Sequence, residues 1–370
     1  MSTEINDFRN RRIDTLHGRE LDRWLDTLII QQLSYATAHC PVWRTESMKH
    51  GFQAEEKGTV SRFRQWPILL KEYMVDKDPE LFVGNPSQAG YADQNTTAWD
   101  FPTGGTTGQS LTLYYTQSDW QAFVDAMVRA STPHFPNERI RAFNGYATWH
   151  LAREIFKSLV TDPVFRGSDY SRPPLMEDDH EALVRMHAQG CNVLIAPPAT
   201  TQKGGSIEEY LRADPHGKYL NGKNVKMVLW SSTGMPNHVV LELLDRGIET
   251  ILGYYGTTEV DLVGISSVTS RDPSSARRFQ VVLGPTYTEI LNENGEPVKS
   301  GEQGHLVASL IGGTGSQRII PHLGTQILRY KVGDVATYDT AGGRTYIRDP
   351  TRVQNIEQKV TSGCQVFTPG

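Results

Sequence analysis

Residues 225–260 read VKMVLWSSTGMPNHVVLELLDRGIETILGYYGTTEV. The run from Val225 to Trp230 is short, apolar and β-branched, which suits a buried strand. SSTGMP follows as a turn. NHVVLELLDRG then carries apolar residues at helical spacing, with Asn237 placed to cap the helix and Gly247 to end it. ETILGYYG returns to a strand. Strand, helix and strand in this order imply parallel strands joined by a crossover helix. NVLIAPP (Asn192 to Pro198) is a similar strand stopped by prolines. In such sheets ligands bind outside the carboxyl ends of the strands, and GYYGTTEV (Gly253 to Val260) sets two Tyr, two Thr and one Glu at such an end.

Outward from this unit, Leu21, Trp24, Leu25, Leu28 and Ile29 recur at helical spacing and predict an amphipathic packing helix. RQWPILLKEYM (Arg64 to Met74) breaks at a proline before a helix start. Ser118 and Gln121 form a capping-box pattern ahead of the stripe Trp120, Phe123, Val124, Met127 and Val128. Past Asp261 the texture changes to RFQVVLG, YTEILNENGEPV, GHLVASLIG and YKVGDVATYD, a succession of strands with an Asn-Gly hairpin signal in ENGE (Glu293 to Glu296). This part is expected to be an antiparallel sheet or barrel. Gly167 to Ala182 is the most loop-like stretch. No fixed-period repeat or low-complexity segment is present. The expected fold class is α/β.

The chain has 370 residues and a formal net charge of -5, with a pI near 6.1. That balance argues against a nucleic-acid partner, which calls for a basic face. The absence of a run of eighteen apolar residues argues against a membrane span, and the polar N-terminus against a signal peptide. The cysteines, Cys40, Cys191 and Cys364, are too few and scattered for a disulfide framework or zinc site. The expectation is a soluble cytoplasmic enzyme.

FPTGGTTGQS (Phe101 to Ser110) is a Gly- and Thr-rich loop without lysine. A Walker loop needs Gly-Lys-Ser/Thr and a following helix; here Gly108 precedes Gln109, and LTLYYT reads as a strand. Two readings remain. One is a plain turn. The other is a phosphate clamp in which backbone amides and the hydroxyls of Thr106 and Thr107 wrap a polyphosphate. LRYKVGDVA (Leu328 to Ala336) adds Asp334, a turn cap or an acceptor for a ribose diol.

Taken in order, TGGTTGQS, YGTTE (Tyr255 to Glu259) and YKVGD (Tyr330 to Asp334) resemble three core motifs of the adenylate-forming superfamily of acyl- and aryl-CoA ligases and adenylation domains. WPILLKEYM resembles the phenylacetate-CoA ligase branch. The resemblance runs from about Trp66 to about Tyr346. It implies parallel αβαβα sheets plus a distorted antiparallel β-barrel. The implied divisions are a helical region at 1–95, α/β sheets with the phosphate loop at 96–262, an antiparallel subdomain at 263–345, and a hinge remnant and tail at 346–370. It implies further that Thr103, Gly104, Gly105, Thr106, Thr107 and Gly108 wrap the ATP phosphates and that Tyr255 stacks on adenine beside Gly256 and Thr257. The backbone of Ser232, Gly234, Met235 and Pro236 lines the other side of the base. Thr258 touches the α-phosphate, Glu259 holds Mg²⁺ and Asp334 binds the ribose. The chemistry would be attack of a carboxylate on the α-phosphorus of ATP. The nucleophile is already ionised at neutral pH, so no general base is needed, and positioning and charge neutralisation carry the rate.

The family's mobile C-terminal domain, with its lysine, is expected to be absent, and Arg348, Asp349 and Arg352 are hinge remnants. The acyl-adenylate would then go to a partner such as a reductase, or to Cys364, by resemblance to acyl-protein synthetases; an incidental tail cysteine is the alternative. Tyr146, Trp149 and His150 fall at the family's substrate-gating segment and point to an aromatic acid, a phenazine carboxylate among the candidates. Packing and a polar turn would account for them equally. A homodimer is a further expectation, and a nucleotide-binding protein with impaired catalysis is the alternative to an adenylating enzyme.

Overall fold

The structure is a computed structural model. It describes residues 5–51, 59–85, 87, 89–91, 97–102, 110–146, 150–171, 178–199, 205–232, 234–269, 271–316 and 318–352, with backbone alone for 59, 97–102 and 171. The helices are α1 (Gly18–His39), α2 (Pro41–His50), α3 (Thr59–Phe63), α4 (Lys71–Val75), α5 (Gln117–Ser131), α6 (Leu151–Val160), α7 (Asp179–Ala188), α8 (Ile207–Ala213) and α9 (Asn237–Asp245). The strands are β1 (Thr97–Pro102), β2 (Thr112–Thr116), β3 (Arg141–Asn144), β4 (Ser168–Ser171), β5 (Val193–Ile195), β6 (Met227–Trp230), β7 (Thr250–Thr257) and β8 (Asp261–Val268). They continue with β9 (Arg278–Val281), β10 (Thr286–Leu291), β11 (Gln303–Leu310), β12 (Gly313–Thr314), β13 (Ile319–Ile320), β14 (Tyr330–Ala341) and β15 (Arg344–Arg352).

Among the described residues, eleven strands form one mixed sheet in the order β10-β11-β14-β15-β9-β8-β7-β6-β5-β3-β4. Neighbours from β7 to β4 pair in parallel, and those from β7 to β10 pair antiparallel. Residues 225–260 therefore hold β6, α9 and β7, and β7 is the strand at which the sheet changes sense. β5 and β6 are buried at every position, as expected where both faces are covered. Leu194, Val228 and Ile251 share a core cluster with Leu183 of α7, Ile207 of α8 and Val239 of α9. Val193, Met227 and Leu252 pack with Phe123 of α5 and Phe156 of α6 on the other side.

Several sequence expectations shift. The box that opens α5 is Thr116 with Asp119, not Ser118 with Gln121. The helix starts at Gln117, so Ser118 lies inside it and is buried. Asn237 is the first residue of α9, and Pro236 occupies the cap position without a side-chain bond. Gly247 does end that segment, at φ +80, a conformation that suits glycine. The stretch at 167–182 holds β4, an edge strand, and the start of α7. ENGE makes a tight turn closed by a Leu291–Pro297 bridge, but the next strand of the sheet begins only at Gln303. Among the described residues no hydrogen-bonded ladder joins β10 back to β8, although the two strands lie against each other.

Candidate functional site

The carboxyl end of β7 and the turn into β8 carry Tyr255, Gly256, Thr257, Thr258 and Glu259. β14 begins at Tyr330 and reaches Asp334 through Gly333, at φ +88. The two segments lock together reciprocally. Tyr255 Oη donates to Asp334 Oδ2 at 2.6 Å, and Tyr330 Oη donates to Glu259 Oε1 at 3.3 Å. Each segment's tyrosine thus holds the other segment's acid. Glu259 is 8% exposed and Asp334 6%, so both are nearly withdrawn from water, where an unpaired charge is costly. Burial first, and then Asp334, raises the Tyr255 hydroxyl well above the usual tyrosine range, so it stays protonated and donates. Asp334 Oδ1 also meets Arg352 Nε at 3.0 Å, and Arg352 Nη1 donates to Val332 O at 2.6 Å. Arg348 and Asp349 point elsewhere, to Asp339 at 3.6 Å and Arg277 at 2.8 Å respectively.

The turn is braced from below. Tyr115 Oη of β2 lies 2.6 Å from Thr258 O and 2.6 Å from Asp261 Oδ1. Gly256 sits at a bulge in the β7–β8 ladder. A Cβ there would come within 1.7 Å of Asp261 O, so this position admits only glycine. Asp261 itself adopts φ +54. Burial pushes its carboxyl up to about 7, with the Tyr115 bond opposing and Asp119 adding to the rise. A carboxyl whose folded value is raised stabilises the fold most below the unfolded value of about 4, and that contribution fades as pH climbs towards 7. Wild type should therefore lose on the order of 1–4 kcal/mol between about pH 4 and 7 relative to Asp261→Asn, which cannot titrate. Urea midpoints across that range check it; parallel curves would reject the assignment.

The segment after β6 holds Ser232 at φ +86, followed by Gly234, Met235 and Pro236. Met235 is buried. A cleft of about 380 Å³ opens on the solvent side, lined by Gly234, Met235, Pro236, Asn237, His238 and Arg277. Tyr255, Glu259 and Asp334 do not line it, so its position marks the segment rather than the acidic pair.

Tyr146 is 3% exposed. Its Oη donates to Ser231 O at 2.9 Å and accepts from Ser231 N at 3.0 Å, tying the end of β3 to the end of β6. His150 caps α6, with Nδ1 accepting from Ala152 N at 3.1 Å. Burial lowers its pKa, which keeps the ring neutral. These contacts give both residues structural work. Thr103, Gly104, Gly105, Thr106, Thr107, Gly108, Trp149 and Cys364 lie outside the described residues.

Reading the sequence missed Tyr115, Asp261 and the pairing of Arg352 with Asp334. Tyr115 alternates in an ordinary strand pattern. Asp261 is distinguished only by its backbone conformation, which no local motif announces.

The donor set suits a nucleotide with a divalent cation. Mg²⁺ commonly takes one or two carboxylates and completes its shell with water and substrate phosphates; Glu259 beside Thr258 supplies that much. Among the described residues no three His, Cys, Asp or Glu side chains gather into a larger cage.

The fold is similar to that of solved 2-hydroxyisobutyryl-CoA ligase structures. 2-Hydroxyisobutyryl-CoA ligase, in an open conformation with 2-HIB-AMP and CoA, matches at TM-score 0.73 and 14% identity over 94% of this chain and 78% of that one. Its postadenylation state with 2-HIB-AMP matches at TM-score 0.71 and 14% identity, over 94% and 71%. Its thioesterification state matches at TM-score 0.71 and 15% identity over the same shares. At such identity the likeness establishes the fold. No protein-family profile matches the chain, and no curated protein sequence does. No helix among the described residues is long and apolar enough to cross a membrane.

Proposed function

We propose that the chain activates a carboxylic acid with ATP, forming an acyl-adenylate and releasing pyrophosphate. The observation that carries this reading is the reciprocal pair Tyr255–Asp334 and Tyr330–Glu259. Two motifs far apart in sequence meet at the carboxyl edge of the parallel strands, the place where open α/β sheets bind nucleotides. Asp334 would accept from the ribose hydroxyls. Thr258 would meet the α-phosphate, and the loop from Thr103 to Gly108 the terminal phosphates. Glu259 would hold Mg²⁺, which when bound neutralises phosphate charge. The substrate carboxylate is ionised at neutral pH, so these residues have only to orient the two reactants and stabilise charge on the phosphates.

The acid proposed is aromatic, on Tyr146, Trp149 and His150 in the segment that the family resemblance assigns to substrate gating. A phenazine carboxylate handed to a partner reductase is the specific form of the proposal. A carboxylate-dependent ATP–pyrophosphate exchange assay over aryl, phenazine and fatty acids tests it. Exchange with aryl acids is the expected result. Exchange confined to fatty acids would overturn the aromatic assignment. ATP binding without exchange for any acid would leave a nucleotide-binding protein and overturn catalysis.

A further inference from the structure

Thr258 and Glu259 sit on a short turn, and what fixes that turn lies behind it. Tyr115 is 3% exposed. Its Oη reaches Thr258 O and Asp261 Oδ1, both at 2.6 Å, on either side of Glu259. The turn is also tied by Val260 N to Thr257 O at 3.3 Å, Thr286 Oγ1 to Val260 O at 3.0 Å and Tyr330 to Glu259 at 3.3 Å.

The hydroxyl is itself held in place. The Tyr115 ring meets Trp120 and His322 edge-on, with centroids 6.5 and 6.1 Å away. The preceding residue is clamped by Thr325, with Tyr114 N donating to Thr325 Oγ1 at 2.8 Å and Thr325 N to Tyr114 O at 2.9 Å. On the other side, Asp261 spends backbone strain to turn its carboxyl back to Tyr115: its φ of +54 is uncommon outside glycine. Buried hydrogen-bond networks of this kind rigidify what they hold.

We infer that Tyr115 is a positioning residue whose hydroxyl sets where the turn presents Thr258 and Glu259 to the reactants. Its effect on rate rests on the adenylation reading; the brace itself does not. The test combines hydrogen–deuterium exchange with exchange kinetics on the full chain carrying Tyr115→Phe, which keeps the ring and deletes the hydroxyl. Amides within 256–262 should exchange faster while β2 and α5 keep their protection. The kcat of ATP–pyrophosphate exchange should fall about 10–100-fold, the scale set by misplacing a reacting group by an ångström, with KM for ATP little changed. Asp261→Asn, which tolerates positive φ and keeps a hydrogen-bonding group facing Tyr115, should retain most of the rate.

Unchanged kcat with unchanged protection of 256–262 would overturn the inference, as would loss of protection spread through β2 and α5. If Tyr115→Phe fails to fold, Asp261→Ala cuts the brace from the turn's side and must give the same two changes; wild-type behaviour there overturns it. If wild type exchanges pyrophosphate with no acid, the adenylation reading falls separately. Protection of 256–262 then decides the brace alone.

Discussion

Glu259→Gln should reduce carboxylate-dependent ATP–pyrophosphate exchange by about 100–1,000-fold, the range for deleting one preorganised electrostatic group from an active site. The substitution keeps the side chain's shape, and Gln can still accept from Tyr330, whose Oη now sits 3.3 Å from Glu259 Oε1. What it removes is the charge that would hold Mg²⁺. The unfolding midpoint should therefore move little while turnover collapses. Wild-type exchange in the variant would refute the metal-binding role. A matching collapse of stability would reassign Glu259 to the fold.

Asp119→Ala should cost about 3–5 kcal/mol of stability, because several buried donors lose their acceptor together. Asp119 Oδ2 accepts from Thr116 N at 2.8 Å, Thr116 Oγ1 at 2.7 Å and Gly324 N at 2.9 Å. Its Oδ1 accepts from Leu323 N at 2.8 Å. His322 Nδ1 lies 3.2 Å from the same oxygen, and burial lowers the His322 pKa, with Asp119 opposing. Loss of the helix cap alone accounts for about 1 kcal/mol; the stranded amides of Leu323 and Gly324 account for the rest. Urea denaturation of the two proteins at one pH checks this. A shift below about 1 kcal/mol would mean that water replaces the carboxylate and the site is less dry than its burial implies.

The misplaced helix cap shows where local reading fails. Ser118 and Gln121 have the spacing of a capping box, and so do Thr116 and Asp119 two residues earlier. Local pattern cannot choose between them. The choice falls to Asp119 because its carboxylate also serves Leu323 and Gly324, residues more than two hundred positions away in sequence. His150 caps α6 and Tyr146 bonds Ser231, contacts that fit a packing role and a place beside a substrate alike. An aromatic or imidazole in a short turn reads alike in sequence whether it faces a ligand or the backbone.

Periodicity and punctuation by Gly and Pro sufficed for β5, β6, α9 and β7 and for their parallel arrangement, because those signals are local and both faces of these strands are buried. The three motifs, in order, were equally legible as residues. What sequence alone could not supply was their meeting. That Tyr255 holds Asp334 and Tyr330 holds Glu259 depends on β14 lying across the antiparallel half of the same sheet that ends in β7. The brace from Tyr115 to the turn and the strained Asp261 were likewise decided only by tertiary packing. A backbone angle and a hydrogen bond between distant strands are set by how buried polar groups find partners, and no residue pattern within one segment encodes that.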